Sequence, residues 1–208
     1  ELNSRMLQGY LPPDISNALS GKGQTMFELS FDSDGRMLPW RLNLDWREVN
    51  VLASAAYTFP LPLKTLKSQL RYEPALRRIW LDHVEISDDN DLTITAAGRL
   101  EDHPQTGPYA DLVLTTSNAP VAQILYYLPD QFMSKTRNYL LERINGADVT
   151  NFNVQFAGTP KQIQKGCRET FATTMPLDFV NGRMQPLESL RGLSAFSGTV
   201  KLHKNKLY

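Results

Sequence analysis

The sequence predicts a mainly β protein with short helices, built from two related β-rich modules. Apolar and polar residues alternate strictly in several segments, and turn-forming residues separate many of these segments. Helix signals are confined to two places in the 208 residues. Strands that follow one another through short turns pair as an antiparallel meander, so the sheet is expected to be antiparallel.

The clearest strand lies in the segment PWRLNLDW, residues 39–46, where apolar and polar residues alternate at a period of two. This period places alternate side chains on opposite faces of a sheet. Two shorter segments, FELSF at residues 27–31 and NFNVQF at residues 151–156, repeat the pattern. The residues on the apolar sides of the three segments are Phe27, Leu29, Phe31, Trp40, Leu42, Leu44, Trp46, Phe152, Val154 and Phe156.

Further strands are predicted at residues 49–57, 69–72, 79–86, 92–98, 110–115, 171–179 and 198–203. In the segment 171–179, Pro176 predicts an edge strand or a bulge, because proline cannot donate to the hydrogen-bond ladder. The segments DSDG, residues 32–35, and SDDND, residues 87–91, each predict a hairpin turn between two strands.

Two helices are predicted in the second half of the chain. One spans residues 118–127, with Asn118 as its N-cap and Pro120 in its first turn. The other spans residues 131–145, and Gly146 is predicted to form its C-terminal cap.

A similar order of elements occurs twice, which indicates an internal duplication. A weaker helical stretch at residues 3–20 begins the first copy, and its Leu-Pro pair at residues 11–12 corresponds to a Leu-Pro pair at residues 128–129. Gly21 and Gly146 are 125 residues apart, and so are Phe27 and Phe152. The domain prediction is therefore a first module at residues 1–115 and a second, truncated module at residues 116–208.

Charge and cysteine content narrow the possible functions. The 22 basic and 22 acidic residues give a formal net charge of +0, which provides no general attraction to nucleic acid, and no nucleic-acid partner is expected. The single cysteine, Cys167, cannot form an internal disulfide. No run approaches the 18 apolar residues that indicate a membrane-spanning helix.

No residue pattern indicates catalysis, so we expect a protein that is not an enzyme. His83, His103 and His203 have no second histidine, cysteine or paired carboxylate at ligand spacing. The acidic segment at residues 88–91 lacks the glycine and the distal glutamate of a calcium loop. The segment GKG at residues 21–23 is predicted to be a turn before a strand rather than a phosphate-binding loop. Taken together, these patterns lead us to expect neither a metal nor a cofactor.

The apolar sides of the predicted strands carry the candidate function. In one interpretation these side chains fill a sandwich core or pack beneath the helices. In the other, one face stays open as an apolar groove that binds acyl chains by area burial. Both arrangements produce the same alternation in sequence, so both remain open at this point.

The segment APVAQILYYLPDQFMSKTRNYLLERINGADVTNFNVQFAGTP, residues 119–160, resembles the AsmA-like family of Gram-negative envelope proteins, in particular its large YhdP branch. The features that match are a Tyr-Leu-Pro at residues 127–129 before a helix, Gly146 after it, and a strand followed by Gly158 and Pro160. Residues 59–87 also fit the pattern, with a proline-rich entry before new strands. The first copy departs from it, since Gly9 and Pro13 interrupt its helix.

The resemblance implies a non-enzymatic periplasmic segment of a protein that is anchored in the inner membrane by a part outside this chain. Its antiparallel, twisted or curved sheet would form an open groove lined by the ten apolar residues named above. The groove would bind phospholipid acyl chains, conduct phospholipid between the inner and outer membranes, and continue into neighbouring segments of the same chain. The alternative function is a structural or interaction scaffold of the cell envelope.

Overall fold

The fold is described from a computed structural model of the chain. The structure describes residues 19–51, 61–103, 107–127, 138, 141–159, 172–184, 192–203 and 206–207. The chain divides into two compact units, unit 1 at Glu1–Leu112 and unit 2 at Val113–Tyr208. The predicted module boundary, the predicted duplication and the predicted truncation of the second module stay predictions.

The described part of the chain is mainly an antiparallel β-sheet, which confirms the predicted fold class. Eleven strands are present among the described residues, and they pair in the order β1-β2-β3-β4-β5 in unit 1 and β8-β9-β10-β11 in unit 2, where β7 also pairs with β8. The strands are β1 (Leu19–Glu28), β2 (Trp40–Val51), β3 (Leu61–Glu73), β4 (Arg78–Ser87), β5 (Thr93–His103), β6 (Gly107–Thr116), β7 (Ala119–Pro120), β8 (Ile144–Gly158), β9 (Ala172–Met184), β10 (Leu193–His203) and β11 (Lys206–Leu207).

Short helical segments accompany the sheet. A 3-10 helix at Pro74–Leu76 connects β3 to β4 and ends at Arg77, whose φ of 49° is left-handed. The α-helix α1 spans Val121–Tyr127, and residues 141–143 are also helical.

Both predicted hairpin turns are confirmed in unit 1. In the β1–β2 turn, the carboxylate of Asp32 accepts hydrogen bonds from the backbone N–H groups of Asp34 and Arg36, and Gly35 adopts a φ of 75°. In the β4–β5 turn, the carboxylate of Asp88 accepts hydrogen bonds from the N–H groups of Asn90 and Leu92. Aspartate favours both turns because its side chain satisfies backbone donors that the tight turn leaves without a strand partner.

In unit 2, α1 follows β7 directly and packs against both β7 and β8. The pairs Ala119–Val149 and Pro120–Asp148 fix β7 against β8 and so place the start of α1 beside the middle of that strand. The buried side chains of α1 are Val121, Ile124 and Leu125. The described strands β8, β9, β10 and β11 pair in sequence order.

The predicted helix ends of unit 2 were wrong. The helix α1 begins at Val121, so Asn118 is not its N-cap and Pro120 lies in β7 rather than in the first helical turn. Gly146 is not a helix cap, because β8 already begins at Ile144 and the φ of Gly146 is not left-handed. Pairing with β9 decides the conformation at this end of the predicted helix.

Two predictions about strands also need correction. The segment GKG, residues 21–23, lies inside β1 and is not a turn, and Leu19 and Ser20 are in the same strand rather than in a helix. Pro176 lies in β9, which has β8 on one side and β10 on the other, so it marks neither a sheet edge nor one of the register shifts of this strand.

The other predicted strands are confirmed where the structure describes them, except that β1 ends at Glu28 and so does not include residues 29–31 of the strand predicted at 27–31. The strand predicted at residues 49–57 is described only to Val51, where β2 ends. The helical stretch at residues 3–18, most of the helix at 131–143, and the Leu-Pro pairs at residues 11–12 and 128–129 lie outside the described residues.

Candidate functional site: an apolar sheet face in unit 1

Apolar side chains of β1 to β5 lie on one face of the unit 1 sheet, because residues that are paired across strands share a face. We call this surface the apolar face. Its four cross-strand rows are Trp40–Tyr72–Ile79–Leu100, Phe27–Leu42–Leu70–Leu81–Gly98, Thr25–Leu44–Ser68–Val84–Ala96 and Gly23–Trp46–Leu66–Ile86–Ile94. Three rows cross five strands and the first crosses four, so the face is one surface rather than a set of isolated apolar residues.

Most of the apolar face is half-buried. Leu42, Leu44 and Leu70 have intermediate exposure, as do the valine and isoleucine residues of β4 on this face. A sheet face covered by a second layer would have its central side chains buried like those of a protein interior. Within the described residues, only Trp46 and Ser68 of the apolar face are buried, with exposures of 3% and 5%.

One end of the apolar face is closed by a small buried cluster. Trp46 and Val49 are 3% and 1% exposed, and a Cβ atom at Gly21 would contact both of their side chains. The indole Nε1–H of Trp46 donates a hydrogen bond of 2.9 Å to Thr25 Oγ1. This bond satisfies the polar atom of a buried ring and holds the ring across the β1–β2 pair.

The other end of the apolar face is open and aromatic. The ring centroids of Phe27 and Trp40 are 5.3 Å apart in an edge-to-face arrangement, and those of Trp40 and Tyr72 are also 5.3 Å apart. Phe27 is 53% exposed, and Leu100 at the far end of the first row is 38% exposed. The apolar face therefore passes from a closed end at Trp46 to an exposed end at Phe27.

The opposite face of the same strands is polar and carries ion pairs. Arg71 pairs with Asp82 at 3.1 Å, Arg78 pairs with Glu101 at 3.1 Å, and the guanidinium groups of Arg71 and Arg78 lie 5.5 and 5.2 Å from the ring centroid of Trp80. Hydrogen bonding to the Asp82 carboxylate raises the pKa of Arg71. Such surface pairs contribute about 0–1 kcal/mol each to the free energy of folding. They therefore mark the solvent-facing side of the sheet but add little to its stability.

A cavity of about 590 Å³ opens on the polar face, and the side chains of Asp45, Lys67 and His83 belong to its lining. A histidine and a carboxylate in one cavity are a combination found in catalytic sites, but Asp45 lies in β2 and His83 in β4, and β3 separates the two strands. Ser68 also borders the cavity, but Ser68 pairs with Val84 while His83 pairs with Gln69, so the two side chains project from opposite faces. The register therefore separates the serine hydroxyl from the imidazole.

Five of the ten predicted lipid-binding residues lie together on the apolar face: Phe27, Trp40, Leu42, Leu44 and Trp46. Leu29 and Phe31 lie beyond the end of β1, where Phe31 forms an isolated bridge with Met37. They are exposed by 43% and 58%.

The predicted site residues of unit 2 are in a different environment. Phe152 and Val154 are 5% and 2% exposed in β8, the strand against which α1 packs. They are core residues of unit 2. Phe156 lies in β8, and its side chain is outside the described part of the structure.

The sequence prediction missed the contributions of β3, β4 and β5 to the apolar face. In β4 the register skips Asp82, so that Leu70 pairs with Leu81 but Ser68 pairs with Val84. This bulge shifts the alternation by one residue within the strand, so a strict period of two does not reveal the common face. In β3, Leu66, Leu70 and Tyr72 alternate with Lys67 and Arg71, a signal that was available in the sequence.

In the part of the chain that the structure describes, no three His, Cys, Asp or Glu residues are grouped so that they could hold a metal ion. A search of the helices over the same residues finds none of the length and apolarity needed to cross a membrane. Comparison of the chain with protein-family models, with curated proteins and with solved structures gives no match.

Proposed function

We propose that the apolar face of unit 1 binds phospholipid acyl chains, and that the protein is a non-enzymatic periplasmic segment that conducts phospholipid between two membranes. The observation that carries the proposal is the continuity of the four rows from β2 to β5, in which the leucine, valine and isoleucine side chains are only half-buried or exposed. The resemblance to AsmA-like envelope proteins motivates the location, the inner-membrane anchor outside this chain and the continuation into neighbouring segments.

The physical basis of the proposed binding is area burial. Each methylene group of an acyl chain that leaves water contributes about 0.8 kcal/mol, without a requirement for directional contacts. Leucine, valine and isoleucine side chains repeat along the rows, so neighbouring positions offer a lipid tail similar affinities. A tail can then move along the face in small steps, while the head group stays in water at the edge of the sheet.

Ser68 is the polar residue at the middle of the third row. Its hydroxyl is buried and has no hydrogen-bond partner among the described residues. Leu44 and Val84 flank it in the same row.

The proposal is tested by lipid analysis of the intact chain after expression in bacteria. Native mass spectrometry should detect co-purifying phospholipid at a stoichiometric level. The variant Leu44→Asp, with a charge in the third row, should lose that lipid, whereas Asn43→Asp, which places the same charge on the polar face of the same strand, should keep it. A wild-type chain without lipid, or equal retention by both variants, would contradict the proposal.

A structural scaffold is the second candidate function, and the position of β1 favours it. This strand stands at one end of the strand order, and its Met26 and Phe27 side chains are 58% and 53% exposed. An exposed apolar edge strand can accept a strand from another segment or partner. Chemical crosslinking that joins β1 to a partner strand, in a chain that carries no lipid, would support the scaffold over lipid binding.

A further inference from the structure

The β1–β2 hairpin projects past the end of β3. The last pair between β2 and β3 joins Trp40 to Tyr72, so residues 29–39 lie beyond the β3 pairing. We call residues 29–39 the hairpin arm. Within the described residues, six of the twelve exposed large apolar side chains lie in or just before this arm. Such a concentration of exposed apolar groups marks a contact surface rather than ordinary surface composition.

Several backbone groups at the turn of the hairpin arm are paired within the arm. Asp32 N–H donates to the carbonyl of Arg36, and Leu38 N–H donates to the carbonyl of Ser30, both at 2.9 Å. The Asp32 carboxylate accepts two further backbone N–H groups. Backbone groups that are paired internally can enter an apolar phase at low cost, which is the main requirement that a bilayer imposes on a polypeptide.

The base of the hairpin arm carries the side chains that membranes concentrate at their surface. Trp40 and Tyr72 lie side by side with intermediate exposure, next to Phe27. Tryptophan and tyrosine are enriched at the level of the lipid head groups because their rings are apolar and one end is polar. The order is therefore an apolar arm, then an aromatic base, then the sheet with its charged face.

We propose that the hairpin arm docks unit 1 on the surface of a lipid bilayer, with Leu29, Phe31 and Met37 in the interface. The arm lies along the surface, so Asp34 and Arg36 at its turn stay among the head groups. The aromatic base then joins the bilayer to the open end of the apolar face. This inference rests on the proposed function, because it identifies the end of the apolar face at which lipid enters or leaves.

The charge of the hairpin arm determines whether it binds neutral or anionic bilayers. Asp32 and Asp34 carry negative charge and Arg36 carries positive charge, so the arm has no excess of basic residues. Anionic lipid therefore provides no attraction, and binding follows from apolar contact. We expect binding to vesicles of pure phosphatidylcholine that does not weaken when salt is raised.

The test uses sedimentation of the full chain with phosphatidylcholine vesicles and quenching of Trp40 by brominated lipid in a Trp46→Phe, Trp80→Phe background. The variant Leu29→Ser, Phe31→Ser, Met37→Ser should bind at least tenfold more weakly and lose the quenching. The control Leu76→Ser, Leu193→Ser, at residues that are 53% and 54% exposed elsewhere, should bind as the parent does. Unchanged binding of the arm variant, or binding that requires anionic lipid, would overturn the proposal. The proposal would also be overturned if the arm binds a second copy of the chain. In that case the wild-type chain would be a dimer and the arm variant would be a monomer.

Lipid retention separates this inference from the proposed function. If the arm variant keeps co-purified phospholipid but no longer binds vesicles, docking by the arm is supported. If the wild-type chain carries no phospholipid and still binds vesicles through the arm, docking stands while the acyl-chain function fails. If the wild-type chain carries phospholipid and the arm variant binds vesicles as well as wild type, docking alone fails.

Discussion

The apolar sides of β2 and β8 follow the same alternation in sequence but differ in what lies against them. In β8, Val149, Phe152 and Val154 are 0%, 5% and 2% exposed, and α1 packs against this strand. In β2, Leu42 and Leu44 are half-buried, and no α-helix is present among the described elements of unit 1. Alternation therefore identifies the side chains that share a face, while the next layer decides whether that face is core or surface.

The two phenylalanines that the predicted duplication aligns make the same point. Phe27 and Phe152 occupy equivalent positions at a spacing of 125 residues, yet Phe27 is 53% exposed and Phe152 is 5% exposed. Phe27 lies in a strand at the end of the strand order, whereas Phe152 lies in a strand that pairs with β9 and meets α1. Similar sequence in these two segments thus leads to a surface residue in one and a core residue in the other.

The largest effect expected from this comparison follows from placing a charge on the buried side of β8 in unit 2 and, separately, on the apolar face of unit 1. Val149→Asp would bury an unpaired carboxylate in unit 2 and should cost more than about 3 kcal/mol. Leu70→Asp on the half-buried apolar face of unit 1 should cost about 1–2 kcal/mol, because the carboxylate can reach water.

The three tryptophans, Trp40, Trp46 and Trp80, all lie in unit 1. Their fluorescence in urea therefore reports the unfolding of unit 1 for the Leu70 variant, and hydrogen exchange of the β8 amides reports unit 2 for the Val149 variant. Equal losses of stability in the two units would mean that the apolar face of unit 1 is covered in solution, which would contradict the comparison.

A second test concerns the close approach of strands in unit 1. The apolar face there has no α-helix against it among the described residues, so we expect close backbone packing between strands to contribute to stability. Gly98 has a φ of 143°, and a Cβ atom there would overlap the carbonyl oxygen of Asp111. Gly98→Ala should therefore cost about 3 kcal/mol in unfolding by urea. Gly35→Ala is the control, since Gly35 also has a positive φ of 75° but has open space around it, and it should cost about 1 kcal/mol. If the two variants lose similar free energies of unfolding, the close contact between Gly98 and Asp111 does not restrict the residue at position 98.

A smaller effect is expected at the closed end of the apolar face. Thr25→Val keeps the shape of the side chain but removes the acceptor of the Trp46 indole N–H, at a cost of about 1 kcal/mol. A double-mutant cycle with Trp46→Phe should give a coupling free energy of the same size from urea unfolding of unit 1. Additive effects of the two substitutions would indicate that the hydrogen bond does not stabilise this end.

The smallest expected effect is a pH dependence in unit 2. Asp178 in β9 accepts hydrogen bonds of 2.6 Å from Thr199 Oγ1 and 3.0 Å from Asn151 Nδ2, and these lower its pKa. A lowered pKa stabilises the fold above the unfolded-state value of about 4, and this stabilisation is lost as the pH falls through the lower folded-state value.

The comparison of wild type with Asp178→Asn measures this contribution. The difference between their free energies of unfolding, obtained by hydrogen exchange of unit 2, should be constant above about pH 5 and decrease below about pH 4. A difference that stays constant to pH 3 would indicate that neither hydrogen bond depends on the charge of Asp178.

The sequence predicted most strands and both hairpin turns, since these depend on local features. A strand with one wet face must alternate, and aspartate with glycine or asparagine favours a tight turn. The predictions failed where pairing with a neighbouring strand overrides local preference. Gly21 and Gly146 are turn-forming residues, yet both lie inside strands because β2 and β9 pair with those segments.

The candidate site was predicted in part. The five residues of β1 and β2 on the apolar face were identified because their alternation is uninterrupted. The residues of β4 were missed since the bulge at Asp82 shifts their alternation, and a bulge depends on pairing with β3 and β5. Phe152 and Val154 were assigned to the same surface because their alternation is equally clear, although α1 packs on that strand.

The sequence by itself determined that the protein is an antiparallel β structure with one apolar and one polar side to its strands. These properties follow from a period of two and from turn chemistry, which act over a few residues. Only the tertiary structure decided which apolar side is buried and which remains partly exposed, because burial depends on elements that are distant in sequence. Here that element is α1, which packs against β8 of unit 2, while the apolar face of unit 1 extends from a closed end at Trp46 to an open, aromatic end at Phe27 and Trp40.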